Sequence, residues 1–214
     1  MPVSTILATM ESVKGRRAEY AEQTRAAILE AAAQAFADDG FTATSITQIA
    51  ASARVTKGAV YHHFPDKQAL FEAVLRMYNE AALQQVYDAF VGRRGGPWED
   101  TLAALSATLD VSLDRVAARL IYVEGPVGLG WQRWRESEDH YTRRNVRLLL
   151  QGLIDAGIYP DGIPVDAMTQ VVTGMITHAG ISLAEASSRQ RKAVRRDLYT
   201  AIEQVMSGLR QDAP

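Results

Sequence analysis

The sequence predicts an all-helical protein, on three observations. Apolar residues recur every three or four positions along most of the chain, the spacing that lines one face of an α-helix. No segment alternates apolar and polar residues for long enough to form a strand. Glycine and proline gather at a few points, such as Gly92 to Pro97 and Gly157 to Pro164, where they divide one helical pattern from the next.

The elements follow in order. Residues 1–17 carry no sustained period and end in Lys14-Gly-Arg-Arg17, which reads as a flexible arm. Arg16 and Arg17 fit either a basic arm in a minor groove or a solvated tail. From Ala18 to Asp39, Ile28, Leu29, Ala32, Ala35 and Phe36 mark a helix, which Gly40 stops. Thr44 or Ser45 caps a short second helix, with Gln48 completing a capping-box pattern and Ile46, Ile49 and Ala50 facing inward. A third short helix opens at Thr56 and ends near His63-Phe64. Pro65-Asp66 then starts a long helix with Leu70, Phe71, Val74, Leu75, Val86 and Phe90 on one side. Beyond it, Trp98 to Arg119 and Trp131 to Asp155 read as helices separated by a Gly125–Gly130 connector, and residues 165–186 and 191–209 as the final pair. The reading is an arm (1–17), a three-helix head (18–64) and a helical body (65–214).

Composition narrows the chemistry. The 214-residue chain has no cysteine, which excludes a disulfide framework, a thiol nucleophile and a cysteine-based zinc site. The N-terminus has no basic leader before a long apolar run, and a reducing cytoplasm is the natural compartment. The uncharged stretch from Ala167 to Ala184 contains Gln170, Ser182 and several threonines, so it suits a helix buried in protein better than one in lipid, and no membrane partner is expected. The net charge of −2 does not announce a partner for nucleic acid, and residues 1–64 balance six basic against six acidic side chains. Position says more. From Gly40 to Phe64 the only charged residues are Arg54 and Lys57.

The two short helices, joined by Ala53-Arg54-Val55, have the length and connection of a helix-turn-helix. In that arrangement the first helix braces across a DNA backbone while the second enters the major groove. Thr56 can cap the second helix and meet a phosphate, and Lys57 brings charge to the groove. Gly58 and Ala59 let the helix backbone come close. Tyr61, His62 and His63 add polar tips to a helix anchored by Val60 and Phe64, while Asp66 and Lys67 open the next helix, where free N–H groups suit a phosphate. The adjacent His62 and His63 point about 100° apart and have no carboxylate at ligand spacing, so no metal is expected, and no cofactor.

The run Gly40-Phe-Thr-Ala-Thr-Ser-Ile-Thr-Gln-Ile-Ala50, together with Val55-Thr-Lys-Gly-Ala-Val-Tyr-His-His-Phe-Pro-Asp-Lys-Gln-Ala-Leu-Phe71, resembles the signature of the tetracycline-repressor (TetR) family, and the match extends over about residues 18–75. The resemblance implies a DNA-binding regulator rather than an enzyme. It implies DNA contacts from Ser45 and Thr47 on the bracing helix and from Thr56, Lys57, Gly58, Tyr61, His62 and Lys67. One departure stands out: the family usually has glycine in the turn where this chain has Arg54, and arginine in a left-handed turn carries strain unless the turn differs. Arg54 is kept as a candidate phosphate contact.

The resemblance also implies a body that dimerises through its last two helices and holds an unidentified small-molecule effector among the middle ones. The expected function is a repressor released from a palindromic operator when the effector binds, and the same head would also serve an activator. Two stripes offer themselves for that pairing: Val194, Leu198, Ile202, Val205 and Leu209 on the last helix, and Met168, Val172, Met175, Ala179 and Leu183 before it, with Gly174 and Gly180 permitting close approach. The same stripes fit the closing of the subunit's own core. For the effector, Leu105, Leu109, Tyr122, Trp131, Trp134, Met168, Met175 and His178 are candidate lining, with Tyr122 and His178 as polar anchors, and core packing explains each of them too. The long helix from residue 66 to 91 links head to body and is the expected lever.

Overall fold

The computed structural model describes residues 3–91 and 95–211, with side chains from Glu19 onward apart from that of Phe90. Arg16 and Arg17, expected as a basic arm, therefore have no described side chains. Among the described residues there are helices and no strands: α1 (Val3–Ala43), α2 (Ile46–Ser52), α3 (Lys57–His63), α4 (Lys67–Phe90), α5 (Pro97–Val111), α6 (Arg115–Ala118), α7 (Gly125–Leu129), α8 (Trp131–Glu138), α9 (Arg144–Asp155), α10 (Val165–Glu185) and α11 (Arg191–Ser207). Two wider π-helical turns, Arg119–Glu124 and Asp139–Arg143, lead into α7 and α9. No described helix is long and apolar enough to cross a membrane.

The chain divides into two compact units, one ending at Val74 and the other beginning at Leu75. The head thus extends past Pro65, where the sequence placed its boundary. Leu70, Phe71 and Val74, on the first turns of α4, are fully buried, and the Phe71 ring meets Phe36 and Phe41 edge-on, each at 5.1 Å between centroids. No break in the backbone separates an arm from the first helix at residue 17 either. After Pro2 no proline intervenes before Pro65, and α1 runs through.

Gly40 interrupts α1 with φ 83°, a value at which a Cβ is crowded, so glycine ends the helical course here as its position suggested. The chain then folds back over its own helix end. The buried Thr44 hydroxyl donates its one proton to the Gly40 carbonyl at 2.7 Å, with the Ala35 carbonyl a second acceptor at 3.1 Å. Ile28, Phe36, Ile49, Val60, Leu70 and Phe71 are wholly inaccessible and form the head's core.

The body's core gathers Leu109, Leu150, Leu153, Ile176, Leu183 and Ile202 from α5, α9, α10 and α11. Tyr159, in the loop after α9, is buried among them and donates to the carbonyl of Met206 at 2.8 Å, which satisfies both groups. Arg195 of α11 is anchored to Asp110 at 2.9 Å. Three features differ from the sequence reading. The helix expected over 98–119 ends at Val111, because Asp114 caps a new one by accepting from Val116 N–H at 2.8 Å. The 125–130 connector is itself a short helix, α7. The helix expected over 131–155 carries a π-helical turn.

The stripes on the last two helices mostly face inward. Val172, Ala179, Leu183 and Ile202 are buried, and Met168, Met175, Val194, Leu198 and Leu209 pack against the same core. Gly180 also serves the interior: a Cβ there would fall 2.4 Å from the Tyr122 ring. These residues close the subunit's own core. Of the two stripes, Val205 is the side chain left largely exposed, at 55%.

Candidate functional site

The head builds one surface from two short helices. Ser45 caps α2 through a reciprocal capping box: its hydroxyl accepts from Gln48 N–H (3.2 Å), and the Gln48 side-chain oxygen accepts from Ser45 N–H (2.9 Å). This settles the cap on Ser45, since Thr44 is buried in the turn before it. Ile46, Ile49 and Ala50 face the core, which leaves Thr47 exposed on the outer side.

The turn between α2 and α3 has a Schellman geometry. Val55 N–H bonds to Ala50 C=O at 3.0 Å and Arg54 N–H to Ala51 C=O at 3.1 Å. That geometry requires a left-handed residue, and Arg54 takes it with φ 56°. The turn does not differ to suit arginine, so this position carries local strain of about 1 kcal/mol relative to glycine. The Arg54 side chain is exposed immediately before α3.

Thr56 caps α3 by accepting from Ala59 N–H at 3.1 Å. Val60 and Phe64 are buried, which fixes the rotation of the helix. Thr56, Lys57, Gly58, Tyr61 and His62 consequently share the exposed side, with Tyr61 45% exposed and the Lys57 ammonium 5.7 Å from the centre of its ring. Among the described residues, a Cβ on Gly58 would approach only the Thr56 hydroxyl, at 3.8 Å, so none of them demands glycine there. The His62 and His63 rings lie edge to face at 5.4 Å. Among the described residues, no group of three or more histidine, aspartate or glutamate side chains is placed to hold a metal ion.

Lys67 is the exception among the nine expected contacts. It is half-buried, and its ammonium donates to the carbonyls of Phe41 (2.7 Å), Thr44 (3.0 Å) and Thr42 (3.3 Å) while sitting 4.4 Å above the Phe41 ring. All three of its protons are taken by the open end of α1. A phosphate would have to displace one of these bonds, so the geometry makes Lys67 a brace of the head.

The body contains a cavity of about 90 Å³. Its wall includes Leu105 and Tyr122, as the sequence suggested, but the other expected residues lie elsewhere. Leu109, Met168 and Met175 belong to the packed core. Trp131, Trp134 and His178 line a separate, more open cleft beside α8 and α10. Trp134 has a structural task as well, donating from its indole N–H to Ile121 C=O at 2.9 Å.

The cavity draws its polar groups from elements that periodicity could not single out. Ile121 and Tyr122 sit on the first π-helical turn, Tyr141 and Thr142 on the second. A π-turn widens the helix by one residue, and such turns recur at binding sites. The Tyr122 hydroxyl bonds with Ser112, and its buried position pushes the phenol's ionisation upward, with the nearby Glu138 carboxylate adding to the shift. Desolvation raises Tyr141 likewise, and Glu80 adds to it. Both are neutral hydrogen-bonding groups at physiological pH. Asn79, Thr101, Thr108 and Asn145 complete the polar set. Asn79 had a legible signal, an amide on the apolar side of the long helix.

Comparison with known proteins agrees with this geometry. Residues 28–74 match the family described as "Bacterial regulatory proteins, tetR family", and residues 98–209 match "Tetracyclin repressor-like, C-terminal domain". The HTH-type transcriptional regulator UidR of Escherichia coli is 36% identical over 72 residues, which cover 34% of this chain and 37% of UidR. The HTH-type transcriptional repressor BepR of Brucella suis is 48% identical over 59 residues, 28% of each chain. The chain thus matches about a third of these relatives' length. A crystal structure of a TetR-family transcriptional regulator from Pectobacterium atrosepticum superposes with a TM-score of 0.72 at 23% identity, over 92% of this chain and 98% of that one, so the fold is shared. These are regulators of transcription and not enzymes, and, with both halves matched, the chain belongs to the TetR family of DNA-binding transcriptional regulators.

Proposed function

We propose that the chain is a repressor that binds a palindromic operator as a homodimer and leaves it when a small molecule fills the body cavity. The observation that carries the DNA reading is the outer side of α2 and α3, where Thr47, Arg54, Thr56, Lys57, Tyr61 and His62 are exposed together while Val60 and Phe64 anchor the helix beneath. Ser45 and Gly58 complete that surface, the latter as a point of close approach that no packing among the described residues explains. Lys57 and Arg54 meet phosphates, and Tyr61 and His62 reach base edges or sugars. The reading as repressor follows BepR, which is named one. The place of action is the cytoplasm, where bacterial DNA lies.

Pairing uses the faces of the last two helices that the core leaves free. On α10 these are Ala167, Val171, Gly174 and His178, and on α11 Ala193, Asp197, Ala201 and Val205, spaced at three or four residues. Val171 and Val205 are each 55% exposed, and a Cβ on Gly174 would meet nothing within 4 Å. Small residues with two exposed valines suit the close packing of a four-helix interface. Two such subunits hold two copies of α3 at the separation of successive major grooves, about 34 Å. Release follows if the effector favours a dimer with another spacing. Asn79, Ala82, Leu83 and Val86 place the later part of α4 in the cavity wall, and the same helix begins in the head, which makes it the transmitting element.

A mobility-shift titration with the DNA upstream of the chain's own gene tests this. A salt-sensitive complex that Lys57→Ala weakens at least tenfold, with the dimer intact by light scattering, supports it. A complex equally strong with Lys57→Ala and Tyr61→Ala, or none at low salt, contradicts it.

A further inference from the structure

The wall of the body cavity specifies the chemistry of what it binds. Among the described residues it contains no aspartate, glutamate, lysine, arginine or histidine. A charged ligand would leave water without a counter-charge to receive it, and burial of an unpaired charge is opposed far more strongly than burial of a hydroxyl or carbonyl. The charges nearest the two tyrosines, Glu138 by Tyr122 and Glu80 and Arg76 by Tyr141, act from beyond the wall, and the Glu138 carboxylate is held by the Thr177 hydroxyl at 2.6 Å.

The wall's polar groups are neutral, and most are already half-satisfied. Thr101 and Thr108 donate to carbonyls of their own helix, at 2.7 and 2.8 Å, so each hydroxyl retains only acceptor capacity. Asn145 donates to Tyr141 C=O at 2.9 Å and keeps its side-chain oxygen as acceptor. The Tyr122 hydroxyl, bonded to Ser112, keeps room for one further partner. Leu83, Val86, Leu105 and Ile176 supply the apolar remainder.

We propose that the effector is an uncharged, mainly apolar molecule bearing a hydroxyl or similar hydrogen-bonding group, and that the Tyr122 hydroxyl on its π-helical turn is the group that selects it. The inference rests on the reading of this cavity as the effector site and adds the class of molecule. Gly180 is part of the device, because only a residue without a Cβ lets the Tyr122 ring lie against α10.

Three probes with one ring system separate the possibilities: 2-naphthol, 2-naphthoate and 2-naphthylmethylammonium, neutral, anionic and cationic at pH 7.5. Each is titrated into the purified full-length protein by calorimetry. The expected result is that 2-naphthol binds at least about tenfold more tightly than either ion, that Tyr122→Phe weakens it by about three- to tenfold, and that Leu83→Trp, which fills the cavity, removes its binding while the melting temperature stays near that of the parent. Equal or tighter binding of either ion overturns the proposal, as does failure of all three to bind, or 2-naphthol binding that ignores both substitutions. DNA release by the same probes separates this from the broader reading. Release by an ion that Leu83→Trp blocks leaves the site standing and its proposed chemistry wrong, whereas release by any probe that survives Leu83→Trp shows the effector site to lie elsewhere.

Discussion

The head and the body present their polar groups in opposite settings. In the head, Arg54, Lys57, Tyr61 and His62 stand outward in water on a seven-residue helix and its preceding turn, held from below by Val60 and Phe64. In the body, Tyr122, Tyr141 and Asn145 face a cavity whose wall, among the described residues, has no charged side chain. Charge is inexpensive where it remains hydrated until the partner arrives, and a polyanion rewards it by releasing counterions. Inside a cavity the same charge would cost several kcal/mol of desolvation unless paired, so neutral donors and acceptors take its place. On the proposed reading the head relies on fixed residue types at fixed positions, and the body on the shape of the space between helices.

Substitutions in each unit sharpen this contrast. The largest effect belongs to Phe71→Ala. Phe71 is fully buried and joins the rings of Phe36 and Phe41, so the change should lower head stability by about 3–5 kcal/mol and abolish DNA binding. Thermal melting followed by circular dichroism should show an early partial transition, while 2-naphthol binding in the body persists at low temperature. Loss of both functions together would mean that the two units do not act separately.

Next comes Gly180→Ala, which sets a methyl against the Tyr122 ring. Overpacking of this kind should cost about 1–3 kcal/mol and impair the cavity without changing the α3 surface. Calorimetry and denaturant titration check it, and unaltered stability would show that Tyr122 can move aside freely.

Tyr159→Phe should cost about 1 kcal/mol by leaving the Met206 carbonyl unpaired in the core. It also has a pH signature. Burial pushes the Tyr159 phenol from 10.0 up to about 12, so the folded chain holds this proton where the unfolded chain has lost it. Its contribution to stability is complete below about pH 10 and falls away as the pH rises to about 12. Urea titrations from pH 8 to 12 should show the parent losing stability across that window and Tyr159→Phe losing less.

The smallest effect has the opposite sign. Arg54→Gly should raise stability by about 1 kcal/mol, because φ 56° suits glycine, and should weaken DNA binding if the guanidinium meets a phosphate. A rise in melting temperature with unchanged affinity would assign Arg54 no role at the interface.

The same contrast governs how much the sequence disclosed. The all-helical fold, the stop at Gly40, the cap at Ser45 and the exposed side of α3 were legible because each depends on local chemistry: a positive φ, a hydroxyl three residues before a glutamine, apolar anchors at 60 and 64. The strain at Arg54 was legible only through the resemblance, which has glycine at that turn position, and it needed the turn's own hydrogen bonds to settle. Lys67 was not, because its carbonyl partners lie more than twenty residues back along the chain. The body cavity was the least legible part. Leu105 and Tyr122 share its wall, but Leu109, Met168 and Met175 fill core, and aliphatic side chains of one helical stripe carry no mark that separates cavity from core. The two π-helical turns that set Tyr122 and Tyr141 in the wall arise from tertiary packing, beyond the reach of a 3.6-residue pattern. For the same reason the inward stripes of α10 and α11 resembled an interface.

The central claim is that the outer side of α3 reads a duplex, and selection from a pool of random double-stranded oligonucleotides tests it most directly. The parent protein should enrich one sequence with two-fold symmetric half-sites. A Lys57→Ala/Tyr61→Ala variant with the parent's helical content and dimer mass should enrich none. Enrichment of the same sequence by both proteins would place DNA recognition somewhere other than α3.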